Sequence, residues 1–200
     1  MATLILDPRM EALYRTDFHD RFRECWEGVD VVPPMPNNEH TRLVAQFTSV
    51  FSGLVDWDVG EQAVPGANLS DRATGWVQNY RCPDVLVYLA GNPAVDHGTH
   101  WVGGPDFAVE IISEGEDPHA KLGFYAAVNT REVLVVERDP WAVELFTLAN
   151  GRLVSAGRSD VANGLVLNSA ALGLTFKLVS GTPRPKIELT QPTTEKSWAI

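Results

Sequence analysis

The stretch Pro105-Asp106-Phe107-Ala108-Val109-Glu110-Ile111-Ile112-Ser113 decides the fold. Its centre, residues 107–112, is a nearly continuous apolar run of strand length, the pattern of a strand covered on both faces. One carboxylate, Glu110, interrupts it. A lone carboxylate among apolar neighbours costs several kcal/mol, so Glu110 requires a cation, a metal or a proton as its partner. The plainer alternative is a structural ion pair or a protonated acid.

The sequence on either side extends this reading. Downstream, Asp117 is an N-cap candidate and Pro118 suits the first helical position, which predicts a helix reaching about Asn129. A second apolar strand follows at 133–137. The strand, helix, strand order predicts a crossover within a mixed sheet. Upstream, Pro83-Asp84 opens a third such run at 85–89. Taken alone, Asp84 would be a turn residue and Lys121 a solvated surface lysine. Two acids at comparable places on strands that can be neighbours are, however, the oxygen donors that hard divalent cations take. The connection 113–117 is also short enough for the Lys121 ammonium to lie back over the strand that carries Glu110.

Other elements complete one domain. Asp7 and Pro8 cap a helix in which Met10, Leu13, Tyr14, Phe18, Phe22 and Cys25 recur at three- and four-residue steps, ending near Gly28. A short strand at 29–32 is stopped by Pro33, Pro34 and Pro36. Asn37 or Asn38 caps a second helix with Leu43, Val44, Phe47, Val50, Phe51 and Leu54 on one face. Glu39 and His40, four residues before Leu43 and Val44, extend that stripe toward the core. The stretch 69–80 reads as two strands with a loop. Asn150-Gly151, between runs at 142–148 and 152–156, is a strong hairpin signal. Runs at 165–167 and 174–179 add an edge. From residue 181 three prolines and mostly polar residues predict a loosely held tail, so the expected division is a domain over 1–180 and a tail over 181–200.

Composition narrows the function. The chain has 200 residues, 44% of them hydrophobic, which suits a single core. No apolar stretch approaches the ~20 residues of a membrane span, and the N-terminus lacks the basic region and cleavage site of a secretory signal, so a cytoplasmic location is expected. The two cysteines, Cys25 and Cys82, belong to no C-x-x-C pair and are expected to be reduced and partly buried. A formal charge of -10, from 26 acids and 16 bases, argues against broad attraction to a phosphate backbone. His97 and His100 form an H-x-x-H pair in the loop 91–104. A zinc hydrolase built on them would need further ligands, and ordinary loop histidines are the better reading. No G-x-G-x-x-G, Walker A or G-x-S-x-G motif occurs.

Taken in order, Asn38-Glu39-His40 opening a helix, Pro83-Asp84 before a strand, the Pro105 to Ser113 stretch, and Asp117-x-x-x-Lys121-x-x-x-Tyr125 resemble the Uma type of restriction endonuclease within the PD-(D/E)XK nuclease superfamily. The resemblance runs from about Cys25 to Leu178. It implies a single-domain restriction-endonuclease-like fold of the α/β (α+β) class, with a central mixed sheet flanked by helices. It implies a metal-dependent endonuclease acting on nucleic acid, DNA in the first instance, with Mg²⁺ or else Mn²⁺ held by Asp84 and Glu110. Lys121 would stand near the attacking water. The superfamily's usual lysine position, two residues after the second acid, is Ile112 here, so Lys121 would be a lysine moved onto the following helix. Glu39 would match the acid on the helix packed against the site. Asp106 would be a further supporting acid or only a strand cap. A homodimer is a common superfamily arrangement.

Two departures stand against activity. Glu114-Gly115-Glu116 replaces a longer loop of Ser, Thr and Arg, and Arg131-Glu132-Val133-Leu134 stands where E-Y-W is often found. The competing expectation is an interaction module that retains the fold without cleaving.

Overall fold

A computed structural model describes residues 23–200, and within them the burial alternation of neighbouring strands builds the core. The central sheet is formed by β3 (Gln62–Pro65), β6 (Val85–Tyr88), β9 (Phe107–Ile111), β10 (Glu132–Arg138), β11 (Trp141–Ala149) and β12 (Arg152–Ser159), in the spatial order β12-β11-β10-β9-β6-β3. Only β9 and β10 run parallel; the other neighbours are antiparallel, so the sheet is mixed as expected. The parallel pair is joined by the short helix α2 (Leu122–Ala127), the crossover that parallel strands require.

Successive strand residues point to opposite faces. Val85, Val87, Phe107, Val109, Ile111, Leu134 and Val136 therefore share one face. It is covered by Leu43, Phe47, Val50 and Phe51 of α1 (Asn38–Ser52) and by a four-stranded sheet of β13 (Leu167–Ser169), β14 (Leu174–Val179), β15 (Lys186–Gln191) and β16 (Lys196–Ala199). Leu86, Tyr88, Ala108, Val133 and Val135 take the other face, under Tyr125 of α2, Val128 and Leu69. Leu69 belongs to a sheet of very short strands, β1 (Glu24–Trp26), β2 (Val29–Val31), β4 (Leu69–Ser70), β5 (Tyr80–Arg81), β7 (Val95–Asp96) and β8 (Trp101–Val102). The fold is α+β, and each face of its mixed sheet carries one helix and one small sheet. Among the described residues no helix is long and apolar enough to cross a membrane.

The capped helix, the three apolar strands and the Asn150-Gly151 hairpin fall where the sequence places them. Asn37 is the N-cap of α1, its side chain accepting the His40 amide at 2.9 Å. Asn150 and Gly151 hold φ of 51° and 73°, the left-handed pair a two-residue hairpin needs.

Four expectations are corrected. The helix from Asp7 lies outside the described residues as far as Phe22, and its expected last turn is instead strand: Glu27 and Gly28, at φ 49° and 84°, turn β1 back onto β2. The helix expected from Asp117 begins only at Leu122. Asp117 Oδ1 accepts the His119 amide at 2.9 Å and the Asp117 carbonyl accepts the Ala120 amide at 3.2 Å, so this segment closes tight local turns before Lys121 caps α2. The strands near 165 and 174 extend no edge of the central sheet but belong to the four-stranded one. Finally, residues 181–200 are not a loose tail. β15 and β16 pair onto β14, and Ile187 and Leu189 are fully buried, because alternation gives even this polar segment one apolar face.

Candidate active site

Strand geometry brings the acids together. β6 and β9 are antiparallel with Val85 opposite Val109, so Asp84, one residue before β6, comes up beside the end of β9 that carries Glu110. Both Asp84 oxygens are engaged: Oδ2 accepts the Ile111 amide at 2.7 Å and Oδ1 accepts His40 Nε2 at 2.7 Å. Glu110 shares the face of Ala108, beneath α2. Lys121 and Tyr125, four residues apart, lie on one side of that helical segment and both reach down to it. Lys121 Nζ stands 3.0 Å from Glu110 Oε2, and the Tyr125 hydroxyl donates to Glu110 Oε1.

A third acid completes the cluster. Lys121 Nζ is 2.8 Å from Oε1 of Glu24, on β1. Glu24 is fixed by the Cys82 amide at 2.9 Å and by Trp26 Nε1 at 2.8 Å. The strand beneath it is pinned to α2 by Arg81, whose guanidinium lies between the Trp26 ring at 4.4 Å and the Phe124 ring at 4.3 Å. Glu24, His40, Asp84, Glu110, Lys121 and Glu116 line one cleft. Its cavity volume of about 30 Å³ is room for a hydrated ion's core, about two water-sized bodies.

The electrostatics follow from this crowding. Burial pushes the Glu110 carboxyl up to about 8, the Lys121 charge opposes that shift, and the Asp84 and Glu24 charges add to it. Burial alone would lower the Lys121 ammonium, but Glu110 and Glu24 hold it well above the usual lysine range. The buried Cys82 thiol is pushed up to about 12 and stays protonated. Three acids, Asp84, Glu24 and Glu110, thus crowd one ammonium in a sheltered cleft, a donor set in which acids outnumber the single base.

That surplus fits a hard divalent cation. Among the described residues no three His, Cys, Asp or Glu side chains form a ready-made metal-binding group, but Mg²⁺ keeps several waters and is commonly held by one or two carboxylates. Zinc fits less well. The His97 and His100 rings stack face to face at 5.0 Å, and His100 also stacks on Trp76 at 4.7 Å, an aromatic packing arrangement with no further ligand among the described residues.

Of the residues expected from sequence, the fold brings Asp84, Glu110 and Lys121 together. Glu39 is elsewhere, 3.1 Å from Arg184 Nε and 3.9 Å from Arg138, while its neighbour His40 faces the cleft. Asp106 sits at the opposite end of β9. It accepts the Leu89 amide at 2.8 Å, Asn92 Nδ2 at 2.8 Å and an Arg131 guanidinium nitrogen at 2.9 Å. Glu24 was missed because the apolar spacing through Cys25 reads as helix. The signal that would have found it is the turn at Glu27-Gly28 between two short strand-forming runs.

The site thus groups an acid before one strand, an acid inside its neighbour and a lysine at the entrance of the crossover helix. Residues 10–178 match the Uma2 family model, described as "Putative restriction endonuclease", and the chain belongs to that family. Among solved structures it is similar to one described as "a putative nuclease belonging to DUF820 from Anabaena variabilis ATCC 29413", with a TM-score of 0.62 and 15% identity over 82% of this chain and 90% of that one. At that identity the likeness is one of fold. No curated protein is a significant match.

Proposed function

We propose that this chain is a Mg²⁺-dependent endonuclease that hydrolyses phosphodiester bonds in nucleic acid, DNA in the first instance. The observation that carries the reading is the convergence of Asp84, Glu110 and Lys121 on one cleft, with Glu24 beside them. Asp84 and Glu110 would hold the cation. When bound, it supplies Lewis-acid polarisation of the scissile phosphate and lowers the pKa of a coordinated water; Mn²⁺ can serve the same purpose.

The chain's own groups supply the rest. Glu110 holds Lys121 over the cleft, so a charge that develops on the phosphoryl oxygens meets an ammonium already in place. Tyr125, donating to the other Glu110 oxygen, fixes that carboxylate's rotamer. Glu24 also holds the Lys121 ammonium and keeps it from swinging into solvent.

A second reading, a nuclease fold that binds a partner without cleaving, is favoured by Glu116, an acid that lines the cleft of a chain whose formal charge is -10. One experiment separates the two. Purified wild-type protein and Lys121→Ala are incubated with plasmid DNA, and in parallel with RNA, in Mg²⁺ and in Mn²⁺ at low salt, because salt masks weak nucleic-acid binding. Cleavage by wild type and its loss in Lys121→Ala supports the endonuclease. No cleavage of either polymer by wild type overturns it in favour of the binding module.

A further inference from the structure

We infer that His40 is a positioning residue that fixes Asp84 for cation binding, as one half of a two-donor clamp on that carboxylate. The inference rests on the reading of Asp84 as a metal ligand.

The clamp is built from two elements. From α1, His40 Nε2 donates to Asp84 Oδ1 at 2.7 Å, and from β9 the Ile111 amide donates to Oδ2 at 2.7 Å. A carboxylate oxygen has two lone-pair directions, so one bond to each oxygen orients the group while leaving each a direction free. The His40 side chain is nine-tenths buried, and its Nδ1 is buried with no hydrogen-bond partner among the described residues. Leaving that nitrogen unpaired costs stability, and the ring nevertheless stays turned so that Nε2 meets Asp84.

The two arms are also tied to each other. Asn37 Oδ1 accepts the His40 amide at 2.9 Å and an Arg138 guanidinium nitrogen at 2.7 Å. The same guanidinium donates to the Ile112 carbonyl at 3.1 Å and 3.0 Å. One arginine therefore locks the end of α1 that presents His40 to the end of β9 that presents the Ile111 amide. A carboxylate that ligates a metal gains affinity when hydrogen bonds outside the coordination sphere fix its direction, and losing such a bond commonly weakens binding about 10–100-fold.

The test is the affinity for Mn²⁺ alone, measured by calorimetry on wild type, His40→Phe, His40→Gln, His40→Asn and Asp84→Asn, with thermal unfolding in chelator to confirm folding. Gln places an N–H where Nε2 stood; Asn places it near the position of Nδ1. The expected result is an affinity about 10–100-fold weaker in His40→Phe and His40→Asn, with most of it restored in His40→Gln. The contrast between Gln and Asn decides the matter even if His40→Phe does not fold. Equal affinity in the Gln and Asn variants overturns the clamp. If Asp84→Asn abolishes binding while every His40 variant binds like wild type, only the role of His40 falls. If wild type binds no Mn²⁺, the metal reading of Asp84 falls and the clamp falls with it.

Discussion

The two ends of strand β9 each bury an acid, and they do so to opposite effect. Asp106 is 3% exposed and Glu110 7%, on the same strand and within reach of a basic side chain. Asp106 is surrounded by donors: a backbone amide, an asparagine amide and a guanidinium. Glu110 has two donors, Lys121 and the Tyr125 hydroxyl, but it is crowded by acids, since Asp84 and Glu24 stand close by and Glu24 shares its lysine. An acid saturated by donors is a bolt between segments of chain. An acid crowded by other acids is kept in the fold at a cost, and that imbalance is what the proposed cation would relieve.

The largest expected effect is on cleavage. Glu110→Gln and Lys121→Ala should each lower kcat on DNA by about 10²–10³-fold, the first by removing a proposed cation ligand and the second by removing an ammonium placed to meet the charge of the transition state. Asp106→Ala should leave kcat per folded molecule unchanged. A comparable loss in Asp106→Ala would break the distinction between the two ends of β9.

Next comes pH. In the folded protein Glu110 keeps its proton up to about 8, whereas in the unfolded chain it gives it up near its ordinary value of 4.5. The folded state therefore binds more protons between those values. The contribution of this group to stability is fully present below 4.5 and is lost as pH rises through about 8. In chelator, urea unfolding of wild type should show stability falling across that window, with a slope that approaches but does not exceed about 1.4 kcal/mol per pH unit for one proton. Glu110→Gln should flatten the slope, and Asp106→Ala should leave it in place. An equal slope in wild type and Glu110→Gln would assign the titration to another group.

At the Asp106 end the effect is smaller and purely structural. Arg131 is 59% exposed, so water replaces its partner readily. The Leu89 amide and the Asn92 side chain lose their acceptor in a sheltered place, which predicts a destabilisation of about 1–3 kcal/mol for Asp106→Ala by urea unfolding at neutral pH.

The same contrast explains how far the sequence could be read. Glu110 stood out alone, as an acid within an apolar run, whereas Asp84 and Lys121, bland when taken singly, became candidates only through their places beside it in the strand, helix, strand order and through the resemblance. The pleated alternation then fixed their faces. Glu24 was not legible, since its neighbours Phe22 and Cys25 continue a helical spacing while the turn at Glu27-Gly28 is what makes it a strand. Glu39 and His40 could not be told apart by a four-residue step, because a helical stripe is wide enough to include both; packing turned His40 inward and left Glu39 to the arginines. The four-stranded sheet that absorbs residues 186–199 depends on pairing with β14, and a polar strand shows that partnership only weakly in its own composition.

Glu116 offers the smallest and most diagnostic change. It lines the cleft as Glu24 and Asp84 do, yet it sits in a short loop with its Oε2 accepting the Ser113 amide at 2.7 Å, so it combines the bolt of one end of β9 with the charge of the other. Glu116→Gln keeps an acceptor for Ser113 and removes the charge. If the acid acts only by repelling substrate, KM for DNA should fall about 2–5-fold at low salt with kcat unchanged, and the gain should shrink toward nothing as the Debye length contracts below ~10 Å. A fall in kcat together with a weaker response to Mn²⁺ would place Glu116 among the cation-holding acids. The surplus of acids would then be four carboxylates deep, and the acidic loop would be part of the catalytic apparatus rather than an obstacle at its mouth.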